Sequence, residues 1–248
     1  MAIRVGVLGA KGRMGQEVIR AVNEAPDLEL VASLDLGDSL TELVKNGAEV
    51  VVDFTTPDSV MANVEFVINQ GIHAVIGTTG FNDARIADVR AMAERSPAVG
   101  VLIAPNFGLG AVLMMEFSKK AAKYFESVEI VELHHPNKVD APSGTATRTA
   151  ELISFSRAQA GLGSMPDSTQ TGVGGARGAL IGDVHVHSVR LRGLLAHQEV
   201  IFGGPGETLT IRHDSLDRMG FMPGVLLGIR QVGQHPGITY GLEAFLTI

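Results

Sequence analysis

The sequence predicts an α/β protein in two parts: a parallel-sheet domain and a smaller α+β domain with an open mixed sheet. Three observations predict it. Apolar, β-branched runs alternate with amphipathic stretches through the first hundred residues. A glycine-rich turn follows the first run. After about residue 108 the rhythm gives way to strand-like runs of alternating character. Alternating β and α units build a parallel sheet with helices on both faces. A chain of 248 residues fits one large domain or two small ones.

The elements follow in order. Ile3 to Leu8 is a short apolar run ending in glycine, hence a strand. Lys11 to Asn23 has helical spacing, with Met14, Val18, Ile19 and Val22 on one face. Leu28 to Leu34 is strand-like, and Glu49 to Phe54 reads as a buried strand from its β-branched content. Thr56-Pro57-Asp58 reads as an N-cap, a proline at the first helical position and an acid in the first turn. That helix is expected to run to Gln70, where Gly71 stops it. His73 to Ile76, a helix from Phe81 to Arg95, and Val99 to Ala104 complete the alternation.

The second part opens with a helix, Gly110 to Phe125, and a strand, Ser127 to His135. A helix from about Gly144 to Ala158 follows. Gly161 to Gly182 is rich in Gly, Ser and Thr and reads as a long loop. Val184 to Leu191, Glu199 to Phe202 and Thr208 to His213 alternate as strands with one covered face. Pro223 to Val232 reads as a closing helix. The expected boundaries are 1–108 with 218–248 for the first domain and 109–217 for the second.

Composition excludes several functions. Twenty basic against 27 acidic side chains leave a net charge of −7, which opposes binding to nucleic acid or an anionic membrane surface. With no cysteine there is no disulfide framework, thiolate metal site or Cys nucleophile, and a cytoplasmic location is expected. No apolar run is long enough to span a bilayer, and the N-terminus lacks a signal-peptide layout.

The first strand runs into Gly9-Ala10-Lys11-Gly12-Arg13-Met14-Gly15, a G-x-x-G-x-x-G variant of the dinucleotide fingerprint. Its glycines let the backbone approach a pyrophosphate seated on the helix N-terminus. Asp35 ends the second strand, where a carboxylate accepts from the adenosine ribose. The bland alternative is a structural strand–turn–helix with a surface aspartate. The strand and helix around the loop favour a Rossmann-like nucleotide domain. Asp35 repels a 2′-phosphate and Leu36 brings no arginine, so NADH is expected. Lys11 and Arg13 bring positive charge that makes NADPH tolerable too. Gly77-Thr78-Thr79-Gly80 and Ala104-Pro105-Asn106-Phe107 follow later strands, at the ends where open parallel sheets bind ligands.

The richest polar stretch is Glu132-Leu-His-His-Pro-Asn-Lys-Val-Asp-Ala-Pro-Ser-Gly-Thr-Ala146. Ser143, Gly144 and Thr145 open a helix, so their N–H groups can hold an anion. Lys138 adds a full charge. The set suits a small dicarboxylate substrate, with histidine as a proton relay. No metal is expected. His134 and His135 are strand neighbours that point to opposite faces. His185 and His187 share a face, but a pair of histidines on a sheet is usually only that.

These blocks resemble the dihydrodipicolinate reductase family. The likeness runs through VGVLGAKGRMG, VVDFTTP, GTTGF, APNFGLG, ELHHPNKVDAPSGTA and GLLAHQEVIFGGPGETLTIRHDSLDR, almost the whole chain. SLDLGD at the second-strand end is similar to actinobacterial members. The resemblance implies NADH- or NADPH-dependent reduction of 4-hydroxy-tetrahydrodipicolinate in lysine and diaminopimelate biosynthesis. It implies His134 as catalytic acid/base and Lys138 as proton donor. His135, Lys138 and the amides of Gly144 and Thr145 would hold the substrate carboxylates. Gly9 through Met14, Asp35, Gly77 to Thr79 and Ala104 to Phe107 would contact the nucleotide. A homotetramer built through the second sheet is implied as well, with hinge segments near 107–110 and 214–219, where Arg218 lies. The competing readings are another nicotinamide oxidoreductase of a small carboxylate and a non-catalytic dinucleotide-binding regulator.

Overall fold

A computed structural model describes residues 1–247. The chain divides into two compact units, Met1–Leu109 with Arg218–Ile248, and Gly110–Asp217.

The first unit is built on six strands: β1 (Ile3–Leu8), β2 (Leu28–Leu34), β3 (Val50–Asp53), β4 (His73–Ile76), β5 (Gly100–Ile103) and β11 (Gly237–Tyr240). Their order is β11-β5-β4-β3-β1-β2, and every pairing is parallel. β3, β4 and β5 are almost wholly apolar because a central parallel strand is covered on both faces. The order reverses between β1 and β3, which places a binding crevice at the carboxyl ends of those strands. Helices α1 (Arg13–Glu24), α2 (Thr41–Lys45), α3 (Val60–Asn69), α4 (Asp83–Glu94) and α7 (Met222–Gln231) connect them. Leu43, Val64, Ile68, Val89 and Val101 are buried in one core cluster.

Local chemistry moves several predicted boundaries. Thr56 to Ser59 forms a turn in which the Thr56 carbonyl accepts from the Ser59 and Val60 amides, so Pro57 precedes the helix and does not open it. Asn82 caps α4 through its side chain, which accepts from the Arg85 amide, so that helix starts after Phe81. α1 starts at Arg13 because Gly12 has extended backbone. The short helix α2 and the strand β11 carry no sequence expectation at all. β11 lies in the last twelve residues and pairs with β5, whose sequence is more than a hundred residues away.

The second unit holds α5, whose full span is Leu109–Ala121, α6 (Gly144–Gln159) and five strands: β6 (Ser127–His134), β7 (Ala179–Ile181), β8 (Val184–Arg190), β9 (Ala196–Gly204) and β10 (Glu207–Ser215). The order is β10-β9-β6-β8-β7, with β6 and β8 parallel and the other pairs antiparallel. Val128, Ile130, Val186, Val200 and Phe202 form the buried face, and Ala146, Ala150 and Ile153 are the buried side of α6. Here too the segments differ from expectation. The 161–182 stretch contains β7, and β9 and β10 extend beyond their apolar cores, because antiparallel pairing continues up to the turn at Gly206.

Arg157 ties this unit together. It is 2% exposed and donates to Asp183 Oδ2 (2.9 Å), the Phe125 carbonyl (2.8 Å) and the Gly163 carbonyl (3.1 Å). Removing a buried charge strands its partners. Arg157→Leu is expected to cost about 3 kcal/mol of stability by denaturant unfolding. An unchanged midpoint would show that the clamp is dispensable.

Candidate active site

In the first unit the glycine loop is shaped by close backbone approach. Gly9 has φ +78°, and a Cβ there would lie 2.4 Å from the Phe54 carbonyl oxygen. A Cβ on Gly15 would lie 2.1 Å from the Gly9 carbonyl oxygen, so α1 can start against the loop only without a side chain. Lys11 and Arg13 are exposed on this loop, Met14 is half-buried and Ala10 is buried. The first-turn amides of α1 have no intrahelical acceptor. The Asp35 carboxylate accepts from the Lys11 amide (2.7 Å) and the Leu36 amide (2.8 Å), and these bonds hold its pKa below the usual carboxylate range. Asp35 thus fastens the loop to the end of β2. Leu36 beside it is almost fully exposed. These features fit a nicotinamide dinucleotide.

The first of the two later loops closes over a buried carboxylate, Asp53, that the sequence does not single out. Asp53, 1% exposed at the end of β3, accepts through Oδ1 from the Thr55 amide (2.9 Å), Thr55 Oγ1 (2.7 Å) and Thr78 Oγ1 (2.6 Å). Its Oδ2 accepts from Asn63 Nδ2 at 2.8 Å. Thr78 is therefore an inward-facing anchor, while Gly77 is half-buried and Thr79 exposed. Phe107 is buried and packs at 5.7 Å on Phe54 with the rings tilted by 57°, Ala104 is buried, and Asn106 Oδ1 accepts from the Gly108 amide. Pro105 is exposed.

In the second unit the polar block converges on one buried group, Glu132. Its side chain is fully buried and lies on the same face of β6 as His134, two residues on. Glu132 Oε2 is 2.5 Å from His134 Nδ1. Arg190 at the end of β8 grips the same carboxylate with both terminal nitrogens, at 2.9 and 2.8 Å. Register explains the meeting: His134 is paired with Arg190 across β6 and β8. Burial pushes the Glu132 carboxyl up, but hydrogen bonds from Arg190, Ser188 and His134 outweigh it and the net shift is downward. Burial also lowers the His134 pKa, and the pull of Glu132 in the other direction does not restore it. Burial thus favours the neutral imidazole. A carboxylate can only accept, so the neutral ring donates to Glu132 from Nδ1 and keeps Nε2 as its lone-pair side.

Ser143 is corrected by the structure. Its amide donates to Glu132 Oε1 (3.2 Å), and its hydroxyl caps α6 by accepting from the Ala146 amide (3.2 Å). With its amide and its hydroxyl oxygen both engaged within the chain and 3% exposure, Ser143 builds the helix start, and its amide is not available to a ligand. Gly144 is exposed and Thr145 half-buried in the first turn of α6. Lys138 Nζ donates to Asp140 Oδ1 at 2.7 Å, and the Asp140 carbonyl accepts from Arg190 Nη2 at 2.7 Å. His135 lies just past β6 with a buried Nδ1 that has no partner.

Elsewhere on this sheet, His187 Nε2 is 2.7 Å from Glu129 Oε2, and Arg177 joins Glu129 to Asp167. Among the described residues no group of three or more His, Asp or Glu converges as a metal site.

The comparisons with known proteins agree with this layout. The pattern for the N-terminus of dihydrodipicolinate reductase matches residues 3–107, and that for its C-terminus matches residues 110–246. The chain belongs to the dihydrodipicolinate reductase family. It is 62% identical over 248 residues to the 4-hydroxy-tetrahydrodipicolinate reductase of Nocardia farcinica, with full coverage of both chains. It is 60% identical over 248 residues, again with full coverage of both, to that of Corynebacterium diphtheriae. Among solved structures, the dipicolinate-bound dihydrodipicolinate reductase from Paenisporosarcina sp. TG-14 superposes with a TM-score of 0.89. It is 40% identical and covers 99% of this chain and 100% of its own. An amine dehydrogenase from Mycobacterium smegmatis, at 13% identity and a TM-score of 0.65, shares the fold. Within the reductase family this chain is an oxidoreductase with a nicotinamide-dinucleotide domain.

The depressed histidines carry a stability prediction. His73, His134 and His213 all have folded pKa values pushed below the ordinary value, in each case chiefly by burial. As pH falls below about 6.5 the unfolded chain binds protons that the folded chain resists, so stability is lost. The melting temperature is expected to drop steadily from pH 7.5 to 5.5. A flat profile would contradict it.

Proposed function

We propose that this enzyme reduces 4-hydroxy-tetrahydrodipicolinate to tetrahydrodipicolinate with NADH or NADPH, with loss of water, in lysine and diaminopimelate biosynthesis. The observation that carries the reading is the buried Glu132 holding His134 beside Lys138 and the first turn of α6. A proton-transfer residue, a cation and helix N–H donors are what reduction of a cyclic dicarboxylate requires.

In this reading Gly9, Ala10, Lys11, Gly12, Arg13 and Met14 carry the pyrophosphate, and Asp35 takes the ribose hydroxyls. Gly77 to Thr79 and Ala104 to Phe107 flank the nicotinamide end. Bound nicotinamide supplies the hydride. His135, Lys138 and the amides of Gly144 and Thr145 hold the two substrate carboxylates. His134 acts as acid/base through Nε2, and Lys138 gives a proton to the ring. The substrate loses its hydroxyl as water to form a conjugated imine, one hydride adds to the ring, and one proton completes the product.

The test is a coupled assay. Substrate is made in place from pyruvate and aspartate semialdehyde with the preceding synthase, and NADH and NADPH absorbance is followed. Substrate-dependent oxidation of either is expected. Tight NADH binding with no oxidation would overturn the reading in favour of a regulator.

Use of both nucleotides is part of the proposal. Asp35 opposes a 2′-phosphate, while the exposed Lys11 and Arg13 attract one. Leu36→Arg places a cation beside Asp35, and the NADPH-to-NADH ratio of kcat/KM is expected to rise about 2–5-fold, the worth of an exposed ion pair. An unchanged ratio would move the selectivity elsewhere.

The assembly proposed is a homotetramer through the open face of the second sheet, working in the cytoplasm. That face presents Glu129, Arg177, His187, Glu199, Arg212 and Asp214 in ion pairs. Light scattering at four times the chain mass is expected, and a monomer would overturn it.

A further inference from the structure

We propose that the Asp140 carboxylate is an internal stand-in for a substrate carboxylate. It occupies the Lys138 ammonium until a dicarboxylate displaces it. This inference rests on the reading of Lys138 as a carboxylate holder.

Lys138 Nζ donates to Asp140 Oδ1 at 2.7 Å, and the start of α6 at Gly144 lies close enough to help hold the Asp140 carboxyl below the usual range, after the larger effect of Lys138. A carboxylate of the protein is thus bound by the cation of this loop, next to the first turn of α6. These are the groups that suit a carboxylate of the ligand, and they cannot fully serve both anions. The side chain is 48% exposed, so water can receive it when it leaves. Its backbone stays behind: Arg190 Nη2 holds the Asp140 carbonyl at 2.7 Å and is itself fixed on buried Glu132. Rotation about one side-chain bond is then enough to vacate the subsite without moving the loop that carries Lys138.

The arrangement has a consequence for specificity. A ligand with one carboxylate must displace Asp140 using that group alone. The displacement lowers the affinity of every entering anion by the same factor. A monocarboxylate, with no other anchor, is thereby held to weak binding, while a dicarboxylate with a second anchor toward His135 and Thr145 still binds.

The experiment is calorimetric titration of the intact enzyme with pyridine-2,6-dicarboxylate, with pyridine-2-carboxylate as the monoanion. For Asp140→Asn, binding of the dicarboxylate is expected to tighten about 2–5-fold, the range for breaking an exposed ion pair. The monocarboxylate should gain at least as much. In a Lys138→Met background the gain should shrink, because the shared donor is gone. Asp140→Ser serves as a second variant with the charge removed. Equal or weaker dicarboxylate binding by both variants overturns the stand-in alone. Failure of the wild-type enzyme to bind the dicarboxylate overturns both the stand-in and the carboxylate-holding role beneath it.

Discussion

Lys138→Met is expected to lower kcat by about 10²–10⁴-fold, the usual worth of a general acid, while NADH binds as before. The residue is placed for it. Lys138 is half-buried, acts electrostatically on His134, and has only a half-exposed aspartate as partner. Arg190, the other nearby cation, is committed to Glu132 and to the Asp140 carbonyl. Loss of the ammonium should also raise the substrate KM, because one carboxylate loses its charge partner. The methionine keeps most of the stem packing, so the fold should survive. Steady-state kinetics with both nucleotides and nucleotide titration check the two halves. Unchanged turnover would remove Lys138 from the proton-donor role. A loss of NADH binding would mean that the substitution disturbs more than chemistry.

Glu132→Gln is expected to have an effect of similar size through a different route. Glu132 does not touch substrate in this account; it positions His134. Its carboxylate accepts from Nδ1 and leaves Nε2 as the lone-pair side. A glutamine amide can donate to Nδ1 instead, which turns the imidazole to the wrong tautomer. Losing the carboxylate that orients a catalytic imidazole costs about 10⁴ in kcat in a serine-protease triad, and about 10²–10⁴ is expected here. The pH profile separates positioning from mere folding. His134 needs to be neutral, so activity falls as pH drops through its pKa, which lies below the ordinary histidine value. The carboxylate of Glu132 raises that pKa, so its removal should move the acid limb to still lower pH. Circular dichroism must show the variant folded, since Arg190 loses its partner. Glu132→Asp should recover part of the rate because it keeps the charge. A reduced kcat with an unmoved acid limb would leave Glu132 a structural residue only.

The polar block is legible in the sequence at the level of residue types, but the part played by Glu132 is not. The signal existed: on a strand, positions two apart share a face, so a Glu two residues before His134 stands next to it. Nothing comparable announces Arg190. It lies 58 residues from Glu132 and reaches it only because β8 inserts next to β6 in parallel register. Asp53 was hidden for the same reason, since Thr78 is 25 residues away and their meeting depends on β3 and β4 being neighbours. Ser143 shows the opposite error. Its position at a helix start made its amide look available, and only the buried carboxylate above it decides that the amide is occupied.

By itself the sequence determined the alternation of β and α elements, the glycine loop with Asp35, and the helix start beside Lys138. Each of these rests on periodicity, backbone freedom or capping within a few residues, and such forces act locally. The tertiary structure alone decided that β11 returns to pair with β5 and that β7 forms inside the glycine-rich stretch. It also decided which polar groups are buried together. Strand neighbours are chosen by packing the whole sheet, and a buried polar side chain takes whatever partner that packing brings within hydrogen-bond reach.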